Sequence, residues 1–381
     1  MSNIIGEMKK SKRDYSYFSL LPFPSKDLEN TISSEIIQRA NKAQFLLGKL
    51  SGIALLIPNV EYFISSYIMK DAASSSQIEG TIATMVEAME FIADPVTNKN
   101  SDADDIAHYI KALNYGLKRL KEEDFPLSLR FITELHSQLM LEARASHFSD
   151  PGEFRKTQNW IGGTRPGNAS YVPPSPENML QPLSDLEEFI HTPFIHPVID
   201  AGLLHAQFET IHPFLDGNGR TGRLLITFYL IHHRCLDLPA LFLSSYFEKF
   251  QKKYYEKLDS YHFGEVNVWL GFFIDAVIDT AESAIDISKK ITALRDRDLE
   301  RISKLSSRTS EIAEIVIKNL YKDPIASTTT IQSWVKQSKP GTLNFIAKMV
   351  EIGILTLHKK SKGVRPALYS HKEYIDIFTE S

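Results

Sequence analysis

The residues best placed to do chemistry lie in one run, His212-Pro213-Phe214-Leu215-Asp216-Gly217-Asn218-Gly219-Arg220-Thr221-Gly222-Arg223. Gly217 and Gly219 let the backbone bend and bring bare amides close to a ligand. The pattern beyond them predicts a helix from about Thr221 to His232, so unpaired N–H groups and the positive dipole end face the loop. That combination favours an anion, most often phosphate. Arg220 and Arg223 lie on one side of the first turn and can grip phosphates by forked hydrogen bonds. Asp216 offers a hard oxygen suited to Mg2+ held against phosphates. His212 titrates near neutral pH and can take a proton from a hydroxyl. A base, a metal ligand and a phosphate cradle are the equipment of phosphoryl or nucleotidyl transfer.

Other readings of the same residues fit less well. Gly217 to Gly222 has the G-x-G-x-x-G spacing of a dinucleotide site, but that site needs a preceding strand, and here a helix and His-Pro precede it. A phosphate loop of the Walker type needs Lys after its last Gly, and none is present. His205, Glu209 and His212 share helical spacing, yet their order is not His-Glu-x-x-His, and His205 is expected to be a core histidine.

The elements that must position this loop are mostly helices. Apolar periodicity predicts helices over about Leu28–Lys49, Asn59–Ala73, Asp104–Leu120, Leu127–Leu141, Pro176–His191 and Val198–Ile211, with another after Gly80 through Met89 and more to about Leu305. The first thirty residues are expected to be irregular, because Pro22 and Pro24 block helix and interior strand. Between Gly152 and Pro176 stand four glycines and four prolines. Asn159-Trp160-Ile161 and Ala169-Ser170-Tyr171-Val172, with a turn between, predict a β-hairpin there. In the tail, helices are expected over Ile312–Tyr321, Thr328–Lys336 and Thr342–Ile352, the last two joined by a turn at Lys339-Pro340-Gly341. Strands are expected at Leu355–His358 and Pro366–Tyr369, around a basic loop. Three helices and a two-stranded wing describe a winged helix-turn-helix.

Charge sharpens that division. Residues 301–381 hold 13 Lys+Arg against 7 Asp+Glu, a local +6 in a chain of net charge −4. The lone cysteine, Cys235, is expected to be a buried thiol. No secretory signal is evident, and no apolar run reaches the ~18 residues of a membrane helix. A cytoplasmic setting without membrane contact is the expectation.

The run from His212 to Arg223 matches the Fic family signature His-x-Phe-x-(Asp/Glu)-Gly-Asn-Gly-Arg-x-x-Arg at every fixed position. Gly152-Glu153-Phe154-Arg155, the hairpin through Tyr171-Val172-Pro173-Pro174, and Ala206-Gln207-Phe208-Glu209 also resemble that family. The resemblance implies a mainly α fold: a Fic-type helical bundle with a β-hairpin flap, plus the winged helix-turn-helix. The implied organisation is an N-terminal helical extension (1–120), a catalytic core (121–285), a linker helix (286–300) and the winged helix (301–381).

The family mostly transfers AMP from Mg-ATP to a hydroxyl of a target protein. That implies His212 as base, Asp216 as Mg2+ ligand, and Gly217, Asn218, Gly219 and Arg220 as an anion hole continued by Thr221 and Gly222. Arg223 would hold the γ-phosphate, and Phe214 would anchor the loop. The flap, Ile161, Gly162, Gly163 and Thr164 on to Arg165, would pair with an extended protein target. Tyr254 of the pair Tyr254-Tyr255 would contact adenine; where some members have Asn further on, this chain has His262. Ser75-Ser76-Gln77-Ile78-Glu79-Gly80 resembles the family's inhibitory motif (Ser/Thr)-x-x-x-Glu-(Gly/Asn), in which Glu79 would pair with Arg223. Removal of AMP, transfer of another nucleotide, a homodimer that tunes the brake, and a DNA-binding regulator acting through residues 301–381 are the alternatives left open.

Overall fold

The computed structural model describes residues 3–56, 61–94, 101–140, 150–363 and 365–380. The chain opens with β1 (Gly6–Lys10) and β2 (Ser16–Leu20), then α1 (Leu28–Thr31), α2 (Ser34–Leu56), α3 (Glu61–Ile78), α4 (Met85–Ala93) and α5 (Ser101–Lys121). The central part is α6 (Leu129–Met140), α7 (Pro176–His191), α8 (Pro197–Ile211), α9 (Asn218–His232), α10 (Ser244–Lys249), α11 (Gln251–His262) and the 38-residue α12 (Val266–Ser303). The remainder is α13 (Ser307–Lys322), β3 (Ile325–Ser327), α14 (Thr328–Val335), α15 (Lys339–Glu351), β4 (Thr356–Lys359), β5 (Leu368–Ser370) and α16 (Lys372–Thr379). Among the described residues, no helix is long and apolar enough to cross a membrane.

The core is built around α8 and α9. α8 is apolar on almost every side and is therefore buried all round. Gly202 lets α12 close on it: a Cβ there would lie 2.8 Å from the Phe273 ring, and Trp269 Nε1 donates to the Gly202 carbonyl at 2.8 Å. Phe228 of α9 meets the edge of Phe131 of α6 at 5.2 Å. α3 is fixed by a buried carboxylate, since Asp71 accepts from Tyr109 Oη at 2.6 Å and from the Ser244 amide at 3.0 Å.

Several expectations change in detail. The first thirty residues are not all irregular, because β1 and β2 pair antiparallel from Gly6 with Leu20 to Lys10 with Ser16. Exposed side chains along β1, among them Lys9 and Lys10, hide the alternation, while Phe18 of β2 turns inward against Tyr171 and His262. The helix expected over 28–49 is broken between α1 and α2, where Ser33 Oγ accepts from the Ile36 amide. Asn59 and Leu141, at the ends of two expected helices, lie outside the described residues. α3 runs on through Ile78, so Ser75 sits within it and Glu79 just past its end.

The hairpin expected at 159–172 is reduced to one antiparallel bridge, Ile161 with Tyr171, and a single 3-10 turn at Pro166–Asn168 forms its tip. Lys339 and Pro340 do not form a turn before α15 but open it, behind Ser338, because proline suits a first helical turn. Residues 286–300 are part of the continuous α12. Cys235 is half-buried rather than enclosed, and burial pushes its thiol pKa up to about 11. In the tail, β5 lies between β3 and β4 in an antiparallel sheet.

Candidate active site

The loop between α8 and α9 is held by its own backbone chemistry. His212 ends α8 in the left-handed region (φ 50°), and Pro213 cannot continue the helix. Gly217 starts α9 with φ 76°. Between them, Phe214 is fully buried and stacks on His136 with centroids 3.7 Å apart. Asn218 closes the loop: its Oδ1 accepts from the Phe214 amide and its Nδ2 donates to the Phe214 carbonyl, both at 2.8 Å. The side chain assigned to the anion hole is thus committed to the loop itself, and only the Asn218 backbone faces the helix end.

Two residues that sequence reasoning missed brace this loop. Arg155 is buried and donates through Nε to the His212 carbonyl at 2.9 Å and through Nη2 to the carbonyls of Pro174 and Ile211. Burial lowers its pKa to about 10, so it stays charged at neutral pH. His136 accepts from the Gly152 amide at Nδ1, which places its proton on Nε2, facing the Asp216 carbonyl at 2.9 Å. Both act on backbone atoms far away in sequence, and only the Gly-Glu-Phe-Arg run hinted at one of them.

His212 is held neutral at ordinary pH. Burial, with the nearby charge of Arg155, lowers its pKa to about 4. Its Nδ1 lies 3.3 Å from the Glu209 carbonyl, which leaves the Nε2 lone pair free to accept a proton. Asp216 is exposed; one carboxylate oxygen accepts from the Gly217 amide at 2.6 Å. No cluster of three His, Cys, Asp or Glu side chains suited to a metal occurs among the described residues. A single remaining carboxylate oxygen fits an Mg2+ that arrives on nucleotide phosphates, since that ion usually keeps few protein ligands there.

The two arginines differ. Arg220 is buried, with Nη1 3.9 Å from Asp105, Nη2 on Met140 Sδ, and Nε without a partner among the described residues. Arg223 reaches the other way, into α3. Its Nε donates to Ser75 Oγ at 2.9 Å, and its Nη2 donates to the Ser75 carbonyl at 2.9 Å and to Glu79 Oε1 at 2.7 Å. Burial raises the pKa of Glu79, but Arg223, with a smaller contribution from Arg220, outweighs it and holds the carboxyl below its usual range. The Arg223 side chain is 2% exposed and that of Glu79 38%, so the carboxylate caps an opening. Gly219 makes the room: a Cβ there would lie 2.2 Å from Glu79 Oε1.

Other assigned residues fall elsewhere. Tyr254 is not at the opening; it is 1% exposed and its hydroxyl bonds His205 Nε2 at 2.8 Å. Its neighbour Tyr255 is the half-exposed one, with Oη 3.4 Å from the Ile78 carbonyl beside Glu79. Thr221 and Gly222 are buried in the first turn of α9. His262 stacks on Tyr171 at 4.1 Å. In the flap, Ile161 and Trp160 are exposed, and the Trp160, Gly162 and Gly163 amides make no hydrogen bond among the described residues. Thr164 is tied back to Asn168 Oδ1.

A helical scaffold thus brings a neutral histidine, a free carboxylate oxygen and the N-terminus of a buried helix together, an arrangement suited to an anion. Residues 126–230 match the Fic/DOC family, and residues 37–118 match the Fic/DOC family N-terminal region. Residues 126–230 thus carry a Fic/DOC domain, preceded by that family's N-terminal region. The chain is similar to the protein adenylyltransferase Fic of Drosophila erecta, with 25% identity over 61% of this chain and 46% of that protein. The Drosophila willistoni protein of the same name is 26% identical over 64% of this chain and 48% of its own length. The chain therefore spans under half the length of these relatives. Among solved structures, a Fic family protein from Desulfovibrio desulfuricans G20 shares the fold with TM-score 0.56 and 18% identity, over 89% of this chain and 96% of that one. A Fic domain-containing signaling protein from Bacteroides thetaiotaomicron has TM-score 0.54 and 20% identity, over 65% and 97%.

Proposed function

We propose that the chain is a protein adenylyltransferase restrained by its own Glu79. The observation that carries this reading is the triple grip of Ser75 and Glu79 on Arg223, the last residue of a complete His212–Arg223 family loop. Arg223 is the one side chain shared by the phosphate cradle and the brake, so the ion pair and a γ-phosphate cannot occupy it together.

With Glu79 displaced, ATP phosphates would lie against the amides at the start of α9, with Arg223 on the γ-phosphate. Asp216 would share the Mg2+, which when bound neutralises phosphate charge. A Ser, Thr or Tyr hydroxyl of the target, held along the flap at Ile161–Thr164, would lose its proton to His212 Nε2. Its oxygen would bond to the α-phosphorus as the bond from that phosphorus to pyrophosphate breaks. Tyr255, half-exposed beside Glu79, would meet the adenine in place of the enclosed Tyr254. The tail is read as a winged helix-turn-helix.

The test is AMP labelling of the chain and of added proteins from labelled ATP with Mg2+. Glu79→Gly should label strongly, wild type weakly, and Glu79→Gly with His212→Ala not at all. A folded Glu79→Gly protein that never transfers AMP would sink the proposal.

A further inference from the structure

The basic loop after β4 has no place in that reaction. Lys359, Lys360, Lys362 and Arg365 line a cleft of about 280 Å³ whose other wall is Glu90 and Asp94, at the end of α4. Glu90 accepts from His358 Nε2 at 2.6 Å and from Lys359 Nζ. Burial raises its pKa, but those two partners prevail and hold it below the usual carboxylate range. Lys360, Lys362 and Arg365 are exposed and have no carboxylate in ion-pair range among the described residues.

α4 is joined closely to the brake. Only residues 79–84 separate it from the end of α3, and Gln77 Nε2 donates to the Ala83 carbonyl across that turn at 3.0 Å. The tail also touches α3 directly, where Phe378 meets Tyr67 edge-on at 6.2 Å. The residues that hold Arg223 and the carboxylate that holds the basic loop therefore lie on neighbouring helices, α3 and α4, and the short turn that joins them.

We propose that this cleft is a docking surface for the phosphate backbone of duplex DNA, and that docking there is coupled to release of Glu79 from Arg223. Phosphates compete with Glu90 for His358 and Lys359, and the three exposed cations beside them supply the attraction. The local +6 of residues 301–381 has the matching sign. The exposed face of α15 offers Lys339 and Lys348 but also Leu343 and Val350, so the contact is with backbone rather than base edges. Linkage makes the effect reciprocal: whatever frees Glu79 tightens DNA binding, and the reverse.

This inference rests on the proposed transferase activity, and Glu79→Gly separates the two. AMP labelling by the full chain is measured at low salt with and without a short duplex of random sequence. Duplex should raise wild-type labelling by about 5- to 150-fold, the usual span of such coupling. Glu90→Ala should raise it without duplex, the Lys360→Ala, Lys362→Ala, Arg365→Ala variant should not respond, and Glu79→Gly should rise no further. A silent Glu79→Gly defeats the transferase reading itself. An active Glu79→Gly with no duplex binding to wild type, or binding with no rise in labelling, overturns the coupling. An equal response to inorganic polyphosphate overturns DNA as the occupant.

Discussion

Glu209 shows how one largely buried carboxyl records its surroundings. Burial raises its pKa to about 8, Arg223 opposes that and Glu79 adds to it, and its Oε1 has no hydrogen-bond partner among the described residues. The folded protein keeps a proton there that the unfolded chain releases near the ordinary value of 4.5. Stability is therefore lost as pH rises from about 4.5 through about 8. Glu209→Gln has no such loss. Its Tm relative to wild type should climb across that window in thermal melts at stepped pH, and a constant difference would refute the assignment. Glu79 has the opposite sign. Its lowered pKa keeps the Arg223 pair intact until pH falls below the usual carboxylate range, so mild acid does not break the pair.

At the scale of elements, the joint between α8 and α9 decides how the His212–Arg223 loop is held. Asn218→Ala leaves the buried Phe214 amide without an acceptor, a cost of about 1–3 kcal/mol. The Phe214 carbonyl keeps Asn159 Nδ2 at 2.9 Å, so the loss is of one group and not two. Asn218→Asp retains the acceptor but sets a carboxylate oxygen where Nδ2 donated to the Phe214 carbonyl, so it should cost no less, which urea unfolding of the pair can check. The joint itself was legible, because a base, glycines, arginines and an acid stood within twelve residues. Its supports were not. Arg155 and His136 bond to backbone carbonyls and amides across long sequence separations, and no side-chain pattern announces such contacts. That Tyr254 is enclosed and Tyr255 half-exposed was equally hidden, since neighbours on a helix point about 100° apart and the sequence does not say which side faces α3.

For the whole molecule, the tail and core meet at a buried network. Asp298 of α12 is fully buried and accepts from Tyr321 Oη at 2.9 Å, with His371 Nε2 at 2.7 Å and Arg301 Nη1 at 3.3 Å. Removing one member of a buried charged group costs about 3–5 kcal/mol. Asp298→Ala should therefore give an early calorimetric transition for the tail while the transition of the core stays in place; a single unshifted transition would show the network to be dispensable. The helical tail elements were readable from periodicity, but this network was not, because its members come from α12, α13 and the start of α16 and carry no common motif.

The continuity of α12 has a consequence for ownership. A rod of 38 residues spans about 57 Å, and its two halves serve different neighbours. Trp269 belongs to the core and Asp298 to the tail, yet they share one unbroken backbone. A cut at residue 301 would hand Tyr321 and His371 to the fragment and leave their common acceptor behind. The natural seam of this protein runs lengthwise through a helix, not across a linker.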